Sequence, residues 1–565
     1  MDRELLKQNP FFLTDEQIAW VEQTRDAMSE DEKIGQLFCA CVRQGTVEEL
    51  EGLNELTPFG GVMYRPLPAE TCVKLTNYLN QMKVPALIAA DLEHGGNIIQ
   101  PNGTLFGAQL AAAATRDVNM AEKLAEICAT EGRAVGINWA FAPDSDLDLN
   151  FRNPITNCRT YGSDPEFVAK MISAYVKKMQ SFGMAVSCKH FPGDGVDERD
   201  HHLVTTVNSL STEEWDNTYG KVYEAAINAG ALSIMVAHIL QPAYIRHFNP
   251  EIEDKDMMPA SLSKELMGGL LRDKLGFNGV IVTDATTMSG FTIPMPRSLS
   301  VPTAIANGAD VFLFSRNMKE DVSFMKAGVQ SGLISQERLN DAVTRILALK
   351  AALGLNKPQK TYTIEEAAAQ IGTEEHHAWA RECAEKSVTL VKEEKNVLPL
   401  TPGRYPRIMY FPLKASYNPP LPGHEDACDI FRKMLEDEGF EITVFNDSKA
   451  TEGRLAPTTD FIGKYDAMVY VANYPIKSGE TTVRVEWTNP LGANCPHFLT
   501  SIPTIFISLG NPYHLQDVPR IRTFINAYAN NQENLDAVLA KLTGKSAFTG
   551  VSPVDPFCGK WDTRL

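Results

Sequence analysis

No apolar run in the 565 residues approaches the ~20 residues that a membrane-spanning helix needs. The opening stretch, MDRELLKQNPFFLTDEQ, has no apolar core between a basic end and a small-residue cleavage site, so no secretory leader is read there. The ten cysteines, at 39, 41, 72, 128, 158, 188, 383, 428, 495 and 558, are dispersed and form no CxxC pair. That spacing argues against a structural zinc site and, with no leader, leads us to expect reduced thiols in a cytoplasm. Basic charge is in deficit: 53 Lys and Arg face 71 Asp and Glu, a formal net charge of −18. A surface of that sign repels phosphate backbones and anionic lipid heads, so nucleic-acid and membrane partners are set aside. Neither a GxxxxGK[ST] phosphate loop nor a GxSxG nucleophile elbow occurs. There is no fixed-period repeat and no low-complexity tract.

What is present is ordinary for a soluble globular protein, with 44% hydrophobic and 22% charged residues. The length suggests two to four domains. Short runs that are apolar on both faces and rich in β-branched residues occur at 34–42, 60–65, 86–92, 137–142, 185–190, 231–239, 279–284 and 309–314. Strands of a buried parallel sheet read this way. Helix-like segments lie between them at 117–134, 165–183, 212–229 and 261–275, with a capping box at Ser211 and Glu214 and a C-cap at Gly276. About eight strand–helix units predict a (β/α)8 TIM-like barrel over 1–355, with a doubly wound open sheet as the rival. A polar linker over 356–375 precedes a second, open α/β domain over 376–565, whose strands are RIMYFPL, EITVFN, YDAMVYVAN, PTIFISLG and TFINAYA. His376, His377, His424, His497 and His514 make no tight constellation there, and that domain is expected to be structural or to mediate assembly.

In a parallel barrel the reactive groups collect at the C-terminal strand ends. Four strand candidates finish in ionisable residues: Asp91 and Glu93, Lys189 and His190, His238, and Asp284. An acid after a strand often caps a helix, but Lys189 and His190 cannot act as N-caps. The densest cluster is KHFPGDGVDERDHH, residues 189–202, which its Pro192, Gly193 and Gly195 make a loop. Its histidines and aspartates are possible ligands for a divalent ion, yet Lys189 and Arg199 in the same segment oppose a cation, so no metal is assigned. A solvated loop is the blander alternative. Asp200-x-His202 is the sharper feature: a carboxylate beside an imidazole holds one tautomer and supports proton transfer. His238 reads equally well as a packing histidine and is left out of the site.

The segment KHFPGDG with the following DHH, together with GFNGVIVTDATTM, resembles family 3 glycoside hydrolases, and more closely their β-N-acetylglucosaminidase branch. The similarity extends through MSEDEKIGQLF, FGGVMYRP, LIAADLEHGG, NWAFAPDSDL, NCRTYGSDP and PASLS to AEKSVTLVKEEKNVLPL, and so covers most of the chain. The resemblance implies a retaining mechanism with Asp284 as nucleophile, His202 as general acid/base and Asp200 as its orienting partner. It implies Asp91, Arg159, Lys189 and His190 as residues that bind sugar hydroxyls, and no cofactor. The implied activity is release of terminal N-acetylglucosamine from small glycans or from muropeptide or chitin fragments. Glycoside phosphorolysis and an inactive sugar-binding protein are the alternatives. A small carbohydrate is the expected partner, and the chain is expected to be a monomer or homodimer. Two positions depart from the branch's common pattern: Asp194 stands where KHFPGHG has its second histidine, and His201 stands at the middle of the usual Asp-Ser-His.

Overall fold

The computed structural model describes residues 3–98, 102–394, 396–418, 425–446, 457–488 and 492–565. His424 lies outside the described residues. Two compact units are present. The first comprises Met1–Leu105, Ala121–Thr156 and Asp164–His377; the second comprises Phe106–Met120, Asn157–Ser163 and Ala378–Leu565.

The first unit is a (β/α)8 barrel. Its sheet runs in chain order through Cys39–Cys41, Gly61–Met63, Leu87–Ala90, Trp139–Ala140, Ala185–Phe191, Ser233–Val236 and Val280–Thr283, with every pair parallel. The eighth position is reduced to two residues. Val311 bridges to Val282 and Phe312 to Phe38, both parallel, which closes the ring. All eight stretches expected as strands therefore contribute to the ring, although 34–42 does so only in its second half. Residues Glu30–Gln36 form a helix instead, started by a capping box in which Ser29 and Glu32 satisfy each other's backbone N–H groups. The strands are apolar on both faces because side chains fill the barrel on one side and helices cover the other. Val62, Ile88, Ala89, Trp139, Val186, Ile234, Val236, Ile281 and Val282 have no more than 1% of their surface exposed. Each such Val or Ile contributes ~1.5–3 kcal/mol by leaving water. The expected box at Ser211 and Glu214 is present, and Gly276 follows its helix with φ 67°.

The second unit is an open α/β sandwich. Its six-stranded sheet has the order Thr389–Lys392, Thr523–Asn526, Thr504–Ser508, Ala467–Asn473, Arg407–Lys414, Glu441–Val444. All pairs are parallel except the first, where Thr389–Lys392 adds an antiparallel edge. Alternation along each strand splits the core in two. Ile408, Tyr410, Val469, Val471, Ile505 and Ile507 face Phe431, Leu435, Val538 and Leu542. Met409, Phe411, Met468, Tyr470, Phe506 and Phe524 face Phe461, Tyr465, Leu515 and Ile521. On that second face Phe411 stacks on Tyr470 at 4.1 Å, and Phe506 on Phe524 at 5.3 Å. Among the described residues, no helix is long and apolar enough to cross a membrane.

Candidate active site

The segment after Ala185 is built to turn side chains out of the barrel wall. Pairing of Ala185–Phe191 with Ser233–Val236 is regular through Cys188↔Ile234 and resumes at Phe191↔Val236. One strand thus advances three residues while its partner advances two. The bulge holds Lys189 and His190, and bulges beside active sites re-aim side chains in this way. The chain then reverses through Gly193 and Gly195, whose φ values are 117° and 104°. A Cβ at Gly193 would lie 2.1 Å from the Tyr219 ring, and one at Gly195 would lie 1.9 Å from the Leu147 carbonyl. Only glycine fits either place. Tyr219 Oη donates to the Asp194 carbonyl at 2.5 Å, and Trp215 Nε1 donates to the Pro192 carbonyl at 2.7 Å, fixing the loop from below.

Three imidazoles leave this segment, and each rests its Nδ1 on an aspartate. His190 Nδ1 lies 2.7 Å from Asp146 Oδ2, His201 Nδ1 2.6 Å from Asp194 Oδ2, and His202 Nδ1 2.6 Å from Asp200 Oδ1. A carboxylate accepts and does not donate, so each Nδ1 carries a hydrogen and each Nε2 points the other way. The rings pack in series: His190 and His201 have centroids 5.1 Å apart, and His201 stacks on His202 at 4.8 Å.

The two adjacent histidines differ in what meets Nε2. His201 is fully buried, and its Nε2 lies 3.1 Å from Asp284 Oδ2. Burial alone would lower its pKa, but the bonds to Asp194 and Asp284 outweigh that and raise it to about 10. His202 keeps 25% of its side chain exposed. Burial lowers its pKa below the ordinary value, and the His201 charge adds to this against the raising pull of Asp200. Asp200 is itself held at about 2: burial would raise it, and the His202 bond and charge more than offset that.

Asp284 follows Val280–Thr283 directly, with its N–H on the Val236 carbonyl at 2.8 Å. Its Oδ1 accepts from the Ala285 N–H at 2.6 Å and its Oδ2 faces His201. Burial would raise its pKa, but the His201 bond and the charges of His190 and His201 keep it well below the usual carboxylate range. It is an ionised carboxylate, held at both oxygens. His238 accepts from Ser261 Oγ at 2.8 Å and donates from Nε2 to the Ala285 carbonyl at 3.1 Å. Burial takes its pKa down to about 4, so it is a neutral ring that steadies the residue after Asp284.

Lys189 is buried, with Nζ 2.5 Å from Glu93 Oε1 and 3.8 Å from both Asp91 Oδ1 and Asp144 Oδ1. Asp91 is 36% exposed at its side chain and also faces Arg65 at 4.0 Å. The structure thus gathers Asp91, Lys189, His190, Asp200, His202 and Asp284 through a continuous series of contacts. Arg159 belongs to the second unit, at the end of the 3-10 turn Asn157–Arg159.

Four members of the cluster have no role in the motif reading: Asp144, Asp146, Asp194 and His201. Asp146 is the hub. Its Oδ1 accepts from the His190 and Asp194 N–H groups at 3.1 and 2.7 Å, while its Oδ2 holds the His190 ring. The signal was the run APDSD directly after a barrel strand. Three overlapping sets offer ligand atoms within 4.8 Å: His190, His201 and Asp284; Asp200, His201 and His202; and Asp144, Asp146 and His190. Every imidazole in them already shares its Nδ1 hydrogen with a carboxylate. Arg199 turns away to Asp197, at 2.6 Å, so it does not contribute charge to these sets.

Residues 30–349 match the N-terminal domain of glycosyl hydrolase family 3. A β-N-acetylglucosaminidase/β-glucosidase of Cellulomonas fimi is 47% identical over 558 residues, covering 98% of this chain and 99% of that protein. Among solved structures, the β-glucoside phosphorylase BglX superposes with a TM-score of 0.93 at 42% identity, over all of both chains. A family 3 β-N-acetylglucosaminidase from Paenibacillus sp. str. FPU-7 superposes with a TM-score of 0.79 at 26% identity, covering 94% of this chain and all of that one.

Proposed function

The chain belongs to glycosyl hydrolase family 3, and on that premise we propose that it is a retaining, exo-acting β-glycosidase that releases terminal N-acetylglucosamine from small glycans or cell-wall and chitin fragments. The observation that carries this reading is the pairing of an ionised Asp284 with an Asp200-backed His202 one stacked ring away. In the first half-reaction an Asp284 oxygen attacks the anomeric carbon. The bond to the leaving oxygen breaks with its electron pair, and His202, reacting as the imidazolium with both nitrogens protonated, delivers its Nε2 proton to that oxygen. In the second half the neutral His202 takes a proton from water as the water attacks the anomeric carbon, and the pair of the ester bond returns to Asp284. Asp200 keeps Nδ1 protonated, so the exchangeable proton is always the one at Nε2. Asp91 and Lys189, in one ion-pair cluster, and His190 bind hydroxyls of the terminal sugar, and Arg159 is assigned to the same task on the motif alone. The dispersed cysteines, with no CxxC pair, suit a cytoplasmic setting.

A second reading changes only the acceptor. The whole-length likeness to a β-glucoside phosphorylase favours it. So does the base itself: an imidazole that has given up its proton is neutral and does not repel a phosphate dianion as a carboxylate would. One assay tests both. Aryl β-N-acetylglucosaminide and aryl β-glucoside are incubated with and without inorganic phosphate, and products are resolved as free sugar or sugar 1-phosphate. Free N-acetylglucosamine as the main product supports the hydrolase. Sugar 1-phosphate as the main product replaces it with the phosphorylase, and no turnover of either glycoside rejects both.

A further inference from the structure

His201 alone among the three imidazoles has a carboxylate at both nitrogens: Asp194 Oδ2 at 2.6 Å and Asp284 Oδ2 at 3.1 Å. Both nitrogens must therefore carry hydrogens, and the ring is a cation. It is fully buried, so water does not compete for either bond. Asp194 is held in turn, its Oδ1 accepting from Asn153 Nδ2 at 2.9 Å and from the Gly195 N–H at 2.6 Å.

The charge of this trio changes during the reaction proposed above. At rest it holds two carboxylates and one imidazolium, a net charge of −1. When Asp284 becomes an ester it loses its charge, and the pair Asp194 and His201 is left neutral. Without Asp194 that step would strand an unpaired cation in the interior, which is strongly unfavourable. When the ester breaks, negative charge returns to the Asp284 oxygens beside the His201 Nε2–H. A donor fixed in advance at a developing oxyanion stabilises the transition state. The same bond already satisfies the resting carboxylate, so it does not favour attack.

We propose that His201 is an electrostatic catalyst of the second half-reaction, making Asp284 a better leaving group, and that Asp194 is the positioning residue that keeps His201 charged throughout. His201 itself makes and breaks no covalent bond: the acceptor oxygen bonds to the anomeric carbon, the ester pair returns to Asp284, and the proton of the acceptor goes to His202. The exchange of residue types at 194 and 201 relative to the common motif is then one linked change rather than two.

The inference rests on the covalent mechanism above, and pre-steady-state kinetics separates the two. The full-length protein, His201→Gln and Asp194→Asn are mixed with 2,4-dinitrophenyl β-N-acetylglucosaminide and β-glucoside, and phenolate release is followed from milliseconds. For His201→Gln we expect kcat to fall about 10²-fold, kcat/KM to fall less than tenfold, and a burst close to one phenolate per active site. Asp194→Asn, nearly isosteric, is expected to show the same pattern in weaker form, and it carries the test if His201→Gln does not fold. A partly unfolded protein lowers kcat and kcat/KM together and gives no burst. Equal losses in both parameters without a burst, in a folded variant, overturn the inference and leave the covalent mechanism standing. Absence of turnover by the unsubstituted protein on both substrates overturns the mechanism and the inference with it.

Discussion

The two sheets face the same problem at their C-terminal edges, where strand ends expose polar groups, and they answer it differently. In the second unit the strand ends are closed off by local bonds. Asn473 Nδ2 donates to Asp426 at 3.0 Å, Ser508 Oγ meets His514 Nδ1 at 2.7 Å, and Asn526 Nδ2 donates to the Pro512 carbonyl at 3.1 Å. Burial also leaves His514 neutral, with a pKa of about 4. In the barrel the strand ends carry Asp91, Lys189, His190 and Asp284, and their partners are charged. A polar strand end is a stability feature when the side chain it carries is uncharged, and a reactive one when that side chain is itself ionisable. The barrel edge is where His202 Nε2 and the Asp284 lone pairs remain available.

The largest expected effect tests that contrast at its centre. Asp284→Ala removes the nucleophile, and kcat on an aryl glycoside is expected to fall about 10⁴-fold or more. The thermal midpoint should change far less than activity, because Asp194 still partners His201. Retention of more than a tenth of the turnover would remove Asp284 from the mechanism and with it the distinction between the two edges.

Asp200→Asn is the next step down. An amide opposite Nδ1 no longer selects one tautomer, and kcat is expected to fall ~10²–10⁴-fold. Its stability effect has a defined sign. The folded-state pKa of Asp200, about 2, lies below the unfolded value, so its contribution is present above pH ~4 and disappears as pH falls through about 2. The shift corresponds to roughly 2 kcal/mol. Denaturant unfolding of the two proteins should therefore differ at pH 7 and converge only below pH ~2. A difference that stays constant with pH would show that the pair does not stabilise the fold.

Much of this edge was legible before any coordinates. Buried parallel strands are apolar on both faces, so a run such as GVIVTD marks its own end and places Asp284 there. The motif likewise singled out His202 and Asp200, which the structure pairs at 2.6 Å. What was not legible is tertiary. Nothing local in DHH tells which ring is inside; that depends on Asp194 and Asp284 arriving from elsewhere. Asp146 reads as a loop acid because its partners His190 and Asp194 lie more than forty residues downstream. In the second unit, Thr389–Lys392 lies in a Lys- and Glu-rich stretch, the composition of an edge strand, and carries no buried-strand signal. Membership of Phe106–Met120 and Asn157–Ser163 in the second unit also has no sequence signature, so Arg159 reads as part of the barrel by chain order alone.

The smallest expected effect lies at the opposite edge of the second sheet. Arg407 binds Asp466 in a bidentate pair, at 3.0 and 2.7 Å, where two parallel strands begin. The Arg407 bond holds the Asp466 carboxyl below its ordinary range. Both side chains are partly open to water, at 43% and 24% exposure, so solvent screens most of that interaction. Asp466→Asn should cost ~0.2–1 kcal/mol at pH 7. Because the folded pKa is depressed, the cost should fade as pH drops through the carboxylate range, and added salt should reduce it. Turnover should stay within twofold, since strand N-terminal edges in parallel sheets serve stability. A larger loss of turnover than of stability would mean that this edge, too, communicates with the reacting groups, and the contrast between the two sheets would no longer hold.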